Sequence, residues 1–138
     1  MCGITGIINL NNEKIDPILL KRMANSLKHR GPDDTGFFIK NNIGLANTRL
    51  SILDIEGGNQ PFLSDDKNVV VIQNGEIYNY LEIADELKNS KYECNTSSDT
   101  EIILKLYEKY ADLGKGPEAF LEKLNGMFSI AIHDSRIN

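Results

Sequence analysis

Apolar residues recur along the chain with the two periods that distinguish strands from helices. Residues 4–10 are mostly β-branched or apolar and predict a buried strand. Asp16-Pro17 then supplies a helix N-cap followed by a proline at the first helical position, and apolar residues at helical spacing continue to Leu27. Residues 36–40 and 43–48 are typical of two strands joined by a tight turn. The first third of the chain therefore predicts three strands and one helix.

The rest of the chain is predicted to begin with a long loop, residues 50–62, and loops of this length are often functional. The continuous apolar run at residues 69–72 favours a strand that is buried on both faces. The remaining predicted elements are a helix from about Asn79 to Leu87, a helix opened by a capping box at Ser98–Glu101, a short helix after Gly116-Pro117 and a half-exposed strand at 127–133. Because the sequence stops at Asn138, directly after this strand, we expect the natural domain to continue further.

Composition narrows the class of protein. With 138 residues, 41% hydrophobic and 25% charged, the chain fits one folded domain, and intrinsic disorder is excluded as its main state. A net charge of −5 argues against a nucleic-acid partner, because such a protein needs a positive surface. No apolar run approaches the roughly 20 residues that a membrane helix needs, and the N-terminus lacks a basic signal region. We therefore expect no membrane contact and a cytoplasmic location.

The sequence gives little indication of a metal-binding or phosphate-binding site. The four soft ligands are Cys2, Cys94, His29 and His133, and no two of them are paired at zinc-site spacing. No glycine-rich segment has the spacing of a phosphate-binding loop. The sequence therefore predicts no metal site.

Cys2 is the first candidate for catalysis. If Met1 is removed, Cys2 carries both a thiol and a free α-amine, and such amines titrate at about 7.7–8.0, where they can accept a proton. One residue would then supply a nucleophile and its base. Taken alone, Cys2 is better explained as a small residue at the start of a buried strand.

Three further residues and a glycine could complete a site. Asn74 and the backbone N–H of Gly75 could stabilise an oxyanion, although Asn-Gly is also a common turn. Arg49 could bind a carboxylate and Asp99 an ammonium group, which together would hold an α-amino acid. Taken singly, Arg49 is better explained by a surface ion pair and Asp99 by a helix cap.

Seven segments together resemble the class II glutamine amidotransferase domain of glutamine-hydrolysing asparagine synthetases. Each motif is weak alone, but seven in the same order across nearly the whole chain are specific. The segments are Met1–Gly6, His29–Asp33, Thr48–Ile52, Asn59–Pro61, Asn74–Asn79, Ser98–Glu101 and Asn125–Phe128.

The resemblance implies a fold of class α+β. It is the N-terminal nucleophile hydrolase αββα sandwich, with two antiparallel sheets between helical layers, and here its C-terminal strands are expected to be missing. Residues 1–138 would form one amidotransferase domain that is incomplete at its C-terminus and lacks the synthetase domain.

The resemblance also implies residue roles. Cys2 would be the nucleophile, with its own amine as base. Asn74 and Gly75 would stabilise the oxyanion, and Arg49 would bind the substrate carboxylate. Asp99 and Glu76 would bind the substrate's ammonium group. The backbone of Leu50, Ile52 and Leu53 would line the pocket, and Arg30 would support the site.

The implied reaction hydrolyses L-glutamine to glutamate and ammonia. The ammonia would pass to the absent synthetase domain, which would use ATP and magnesium to activate aspartate, so this domain itself is expected to need no cofactor. Two alternatives stay open: an amidotransferase domain of another aminating enzyme, acting on an amino sugar or surface polysaccharide, and a truncated non-catalytic module. A homodimer is also left open.

Overall fold

The computed structural model describes residues 2–51, 54, 57–116 and 118–137. Strands and helices alternate irregularly along the chain, as in an α+β fold. The strands are β1 (Gly3–Ile8), β2 (Asp34–Lys40), β3 (Ile43–Arg49), β4 (Phe62–Leu63), β5 (Val69–Ile77) and β6 (Gly126–Asp134). The helices are α1 (Pro17–Ser26), α2 (Tyr80–Leu87) and α3 (Asp99–Asp112), with a short 3-10 helix at Ala119–Lys123.

Within the described residues, the strands form two antiparallel sheets of three strands each. The first has the order β1-β3-β2, and its register sets Gly3 opposite Thr48. The second has the order β4-β5-β6, and its register sets Asn74 opposite Ser129. In both sheets the central strand is the most buried, β3 in the first and β5 in the second.

Three apolar clusters show that the two sheets are stacked between helices. Helix α1 packs on the outer face of the first sheet through Leu20 and Ala24, against Ala46 of β3. Between the sheets, Leu45 of β3 packs with alternate residues of β5, Val70 and Ile72. The opposite face of β5 packs on α2 and α3 in the largest cluster. The order helix, sheet, sheet, helices confirms the predicted αββα sandwich.

Local capping signals explain where two helices begin. The Asp16 carboxylate accepts a hydrogen bond from the backbone N–H of Ile18 at 2.8 Å, and Pro17 occupies the first helical turn, as predicted. Ser98 caps α3 by accepting from the N–H of Thr100. The predicted capping box also requires Glu101 to bind the backbone N–H of Ser98, and this part of the prediction is wrong. Glu101 instead binds the backbone N–H groups of Asn95 and Thr96 in the preceding loop.

Most strand bounds lie within two residues of the sequence prediction, but two strands differ more. β5 extends to Ile77 instead of ending at Ile72, since β6 pairs with it along its whole length. β4 is a two-residue strand that was not predicted, and it begins at Phe62, the last residue of the predicted loop. The helix predicted after Gly116-Pro117 is a 3-10 helix beginning at Ala119, and Pro117 lies outside the described residues.

No helix in the part of the chain that the structure describes is long and apolar enough to cross a membrane.

Candidate active site

One cleft at an end of the sandwich collects most of the residues singled out in the sequence. The start of β1, the end of β3, the polar half of β5 and the first turn of α3 meet there. The cleft is lined by Cys2, Arg49, Leu50, Gly58, Gln60, Gly75, Glu76, Ser98, Asp99 and Thr100. A thiol, a guanidinium and a carboxylate therefore face one small space, although they are separated widely in sequence.

Cys2 is held by contacts on both its sulfur and its backbone. Its Sγ accepts from the backbone N–H of Leu50 at 3.4 Å and lies 3.8 Å from the carbonyl oxygen of the same residue. The Nε of Arg30 donates to the carbonyl oxygen of Cys2 at 3.0 Å. Gly31 lets this turn approach β3, since a Cβ there would lie 2.2 Å from the carbonyl oxygen of Thr48. The turn 29–33 thus fixes the position of the nucleophile candidate.

Asn74 and Gly75 lie inside β5, so the alternative that they form a turn is wrong. Gly75 has a φ of +150°, and a Cβ on it would lie 2.1 Å from the carbonyl oxygen of Met127 in β6, so glycine is required. Gly75 lines the cleft, whereas Asn74 is not among its lining residues and lies on the face of β5 that is directed at the first sheet.

The side chain of Asn74 is incompletely satisfied. Its Oδ1 is buried and has no hydrogen-bond partner within the described residues. An unmade hydrogen bond of this kind costs stability, and the atom concerned is an acceptor, so it is not the one that would donate to an oxyanion.

Arg49 is 4% exposed, so the alternative of a surface ion pair is wrong. Its Nη1 donates to Oδ1 of Asn59 at 2.5 Å and its Nη2 to the carbonyl oxygen of Asp54 at 2.6 Å. Asp54 in turn accepts from the N–H of Ser97 in the loop before α3. The loop after β3 therefore holds the guanidinium at the cleft wall and connects it to the segment that carries Asp99.

Asp99 is 7% exposed and does not cap α3, because Ser98 does so. Its Oδ2 accepts from the Nε2 of Gln73 at 3.1 Å and from the backbone N–H of Ile77 at 3.0 Å. Within the described residues, its Oδ1 has no hydrogen-bond partner, and Asp99 lines the cleft. One oxygen of the carboxylate is thus structural and the other is available to a ligand.

The remaining predicted site residues divide into two groups. Leu50 and Glu76 line the cleft. Ile52 and Leu53 lie outside the described residues. Sequence reasoning missed Gln60, Thr100 and Gln73 as site residues. Gln73 could have been found, because it is a polar residue that directly continues the buried apolar run at 69–72.

Comparisons of the sequence with known proteins agree on one family. A sequence model described as "Glutamine amidotransferase domain" matches residues 1–138. The chain is 45% identical to asparagine synthetase [glutamine-hydrolyzing] 2 of Bacillus subtilis (strain 168), covering 100% of this chain and 18% of that protein. It is 41% identical to asparagine synthetase B [glutamine-hydrolyzing] of Escherichia coli (strain K12), covering 98% of this chain and 23% of that protein. The chain thus spans about a fifth of the length of these relatives.

Two solved structures share the fold. One is glutamine phosphoribosylpyrophosphate amidotransferase from B. subtilis complexed with ADP and GMP, with a TM-score of 0.73, 20% identity and coverage of 96% of this chain and 35% of that chain. The other is described as the allosteric regulatory enzyme of purine biosynthesis, with a TM-score of 0.75 at the same identity and coverage. At this identity the likeness establishes the fold alone.

Proposed function

Because the chain belongs to the glutamine amidotransferase domain family, we propose that it hydrolyses L-glutamine to glutamate and ammonia, with Cys2 as the nucleophile. The observation that carries the proposal is the single cleft in which Cys2, Arg49, Gly75 and Asp99 meet. In the sequence alone each of these residues fits an ordinary structural role, and the positions of Arg49, Gly75 and Asp99 in the fold exclude that role. Their convergence from four separate elements supplies a nucleophile, an oxyanion donor and two opposite charges in one place.

The chemical step uses both functional groups of Cys2 once Met1 has been removed. The α-amine takes the proton of the thiol, and the thiolate attacks the side-chain carbonyl carbon of glutamine. The C–N bond of the tetrahedral intermediate then breaks, and the protonated amine returns its proton to the departing ammonia. Water attacks the resulting γ-glutamyl thioester in the same way, which releases glutamate and restores the thiol.

The negative charge that develops on the carbonyl oxygen needs donors that are already in place. We assign this role to the backbone N–H of Gly75 and the side-chain amide of Asn74. The close pairing of β5 with β6 at Gly75 supports the assignment, since it makes this backbone rigid.

The substrate would be recognised through the two charges of its amino-acid end. The guanidinium of Arg49 matches a carboxylate, to which it can donate two parallel hydrogen bonds. The Oδ1 of Asp99 matches the α-ammonium group, with Glu76 beside it in the cleft wall.

The acceptor of the ammonia belongs to the part of the relatives that this chain does not span. We propose that a synthetase domain receives the ammonia and forms asparagine, as the names of the relatives indicate. We further propose that this step uses aspartate, ATP and magnesium. The amidotransferase half itself would need no cofactor.

The test begins with the intact mass of the purified chain, which reports whether Met1 has been removed. Glutamate release from L-glutamine is then measured for the processed wild type, for Cys2→Ala and for the matched control Cys94→Ala. We expect release by the wild type and by Cys94→Ala, and none by Cys2→Ala. No release from a folded, processed wild type would favour the non-catalytic module, and release by Cys2→Ala would refute the assigned nucleophile.

A further inference from the structure

A buried glutamine connects the proposed substrate-binding carboxylate to the strand that carries the oxyanion donors. Gln73 is 1% exposed, and all four of its hydrogen-bonding groups are engaged. Its backbone N–H donates to Oε1 of Gln60 at 2.6 Å, and its carbonyl oxygen accepts from Nδ2 of Asn47 at 3.0 Å. Its side-chain Oε1 accepts from the hydroxyl of Thr100 at 3.1 Å, and its Nε2 donates to Asp99 at 3.1 Å.

The direction of every bond in this network is fixed. Gln60 uses its Oε1 to accept from Gln73, so its Nε2 is left to donate to the Thr100 hydroxyl at 3.1 Å. The hydroxyl then donates to Gln73, whose amide can only turn its NH₂ group toward Asp99, since an ionised carboxylate is an acceptor alone. The chain of donors therefore runs from Gln60 to the Oδ2 of Asp99.

Packing alone does not explain a polar residue at this position. The residues before Gln73 on the same face of β5, Val69 and Val71, are apolar and pack on the helices. An apolar side chain at position 73 would continue that pattern and would need no partners. A fully satisfied buried amide adds little net stability over such a residue, but it specifies one arrangement of its partners.

We infer that Gln73 is a positioning residue for glutamine recognition. Its side chain occupies the Oδ2 of Asp99 and so presents Oδ1 to the α-ammonium group of the substrate, while Gln60 holds its backbone N–H and Asn47 holds its carbonyl oxygen. This inference rests on the proposed function, because it assigns a purpose to contacts around the same cleft.

The test compares two substrates that differ only at the ammonium group: L-glutamine and 4-carbamoylbutanoate, which lacks the α-amine. The variant is Gln73→Met, which keeps the length of the side chain and removes both of its hydrogen bonds. We expect kcat/KM for L-glutamine to fall about tenfold relative to kcat/KM for 4-carbamoylbutanoate, mainly through KM, because only L-glutamine uses Asp99. The matched control Val71→Ala loosens the same face of β5 without touching the network, and its substrate ratio should equal that of the wild type.

The outcomes separate the inference from the proposed function. An active wild type with an unchanged substrate ratio in folded Gln73→Met overturns the inference alone, and so does an equal change of the ratio in Val71→Ala. A processed wild type that hydrolyses neither substrate overturns the proposed function and the inference with it. If Gln73→Met fails to fold, Thr100→Val removes the hydroxyl that joins Gln60 to Gln73 in the same network, and an unchanged ratio in that variant overturns the inference.

Discussion

Replacing Asp99 by asparagine removes the charge of the proposed ammonium site without removing its atoms. The N–H groups of Gln73 and Ile77 both point at Oδ2, so the carbonyl oxygen of the introduced amide must take that place. The new NH₂ group then takes the place of Oδ1 and faces the cleft. An acceptor for the substrate's ammonium group becomes a donor directed at it.

The structure separates the cost in stability from the cost in binding. Two hydrogen bonds to a charged oxygen become bonds to a neutral one, and a favourable charge at the start of α3 is lost, which together reduce the free energy of unfolding by about 1–2 kcal/mol. In the cleft, losing one hydrogen bond between charged groups costs about 1.5–3 kcal/mol of substrate binding. This corresponds to a rise in KM of about 10- to 150-fold. The effect on kcat should be smaller, because Asp99 is assigned to the end of the substrate that does not react.

The assay measures initial rates of glutamate release against L-glutamine concentration, together with urea unfolding of each protein. Asp85→Asn is the matched control, since it removes the same charge from an exposed position on α2 that is not part of the cleft. We expect its KM to equal that of the wild type. An unchanged KM in folded Asp99→Asn would refute the assignment of Asp99 to the ammonium group.

Three further predictions concern the oxyanion donor, the second cysteine and the buried carboxylate of Asp134, which pairs with Arg136. Asn74→Ala should lower kcat about 10²- to 10³-fold with little change in KM, because the amide would act only in the transition state, and an unchanged kcat would exclude it as a donor. Burial and the Glu101 carboxylate raise the pKa of the Cys94 thiol to about 12. At pH 8 iodoacetamide should therefore label it at least about tenfold more slowly in the folded chain than in urea, and equal rates by mass spectrometry would contradict this. Burial raises the pKa of Asp134, but its hydrogen bonds with Arg136 outweigh this and hold the pKa below its ordinary 3.8. The carboxylate therefore stabilises the fold above about pH 4, and this contribution is lost as the pH falls through the lowered pKa. Asp134→Asn should cost about 1–3 kcal/mol of unfolding free energy at pH 7, with a difference from wild type that shrinks below pH 4, and a constant difference in urea titrations would contradict the assignment.

For the candidate site, residue type and local position alone did not distinguish a structural role from a catalytic one. Taken alone, Asn74-Gly75 was better explained as a turn and Asp99 as a helix cap, because turns and caps use these residue types at these local positions. The structure excludes them through contacts with distant segments: Gly75 packs against Met127, and Asp99 binds Gln73, which lies 26 residues earlier in the chain. Only the combined order of seven short motifs gave the sequence a specific functional hypothesis.

The sequence alone determined the features that depend on neighbouring residues. Helix α1 begins where Asp16 and Pro17 require it to begin, and the turn between β2 and β3 falls at Asn41 and Asn42, because caps and turns satisfy backbone groups within a few residues. The resemblance to the family likewise followed from the order of the seven motifs along the sequence.

Tertiary structure decided everything that depends on a partner far along the chain. The polar half of β5 stays a strand because β6, some 50 residues later, pairs with it, and no local signal could predict that pairing. The same holds for Gln73, whose burial is tolerated only because Gln60, Thr100 and Asp99 satisfy its side chain and backbone. Buried polar groups are fixed by whichever donors and acceptors the fold brings to them, so their roles became apparent only when the two sheets and α3 were assembled.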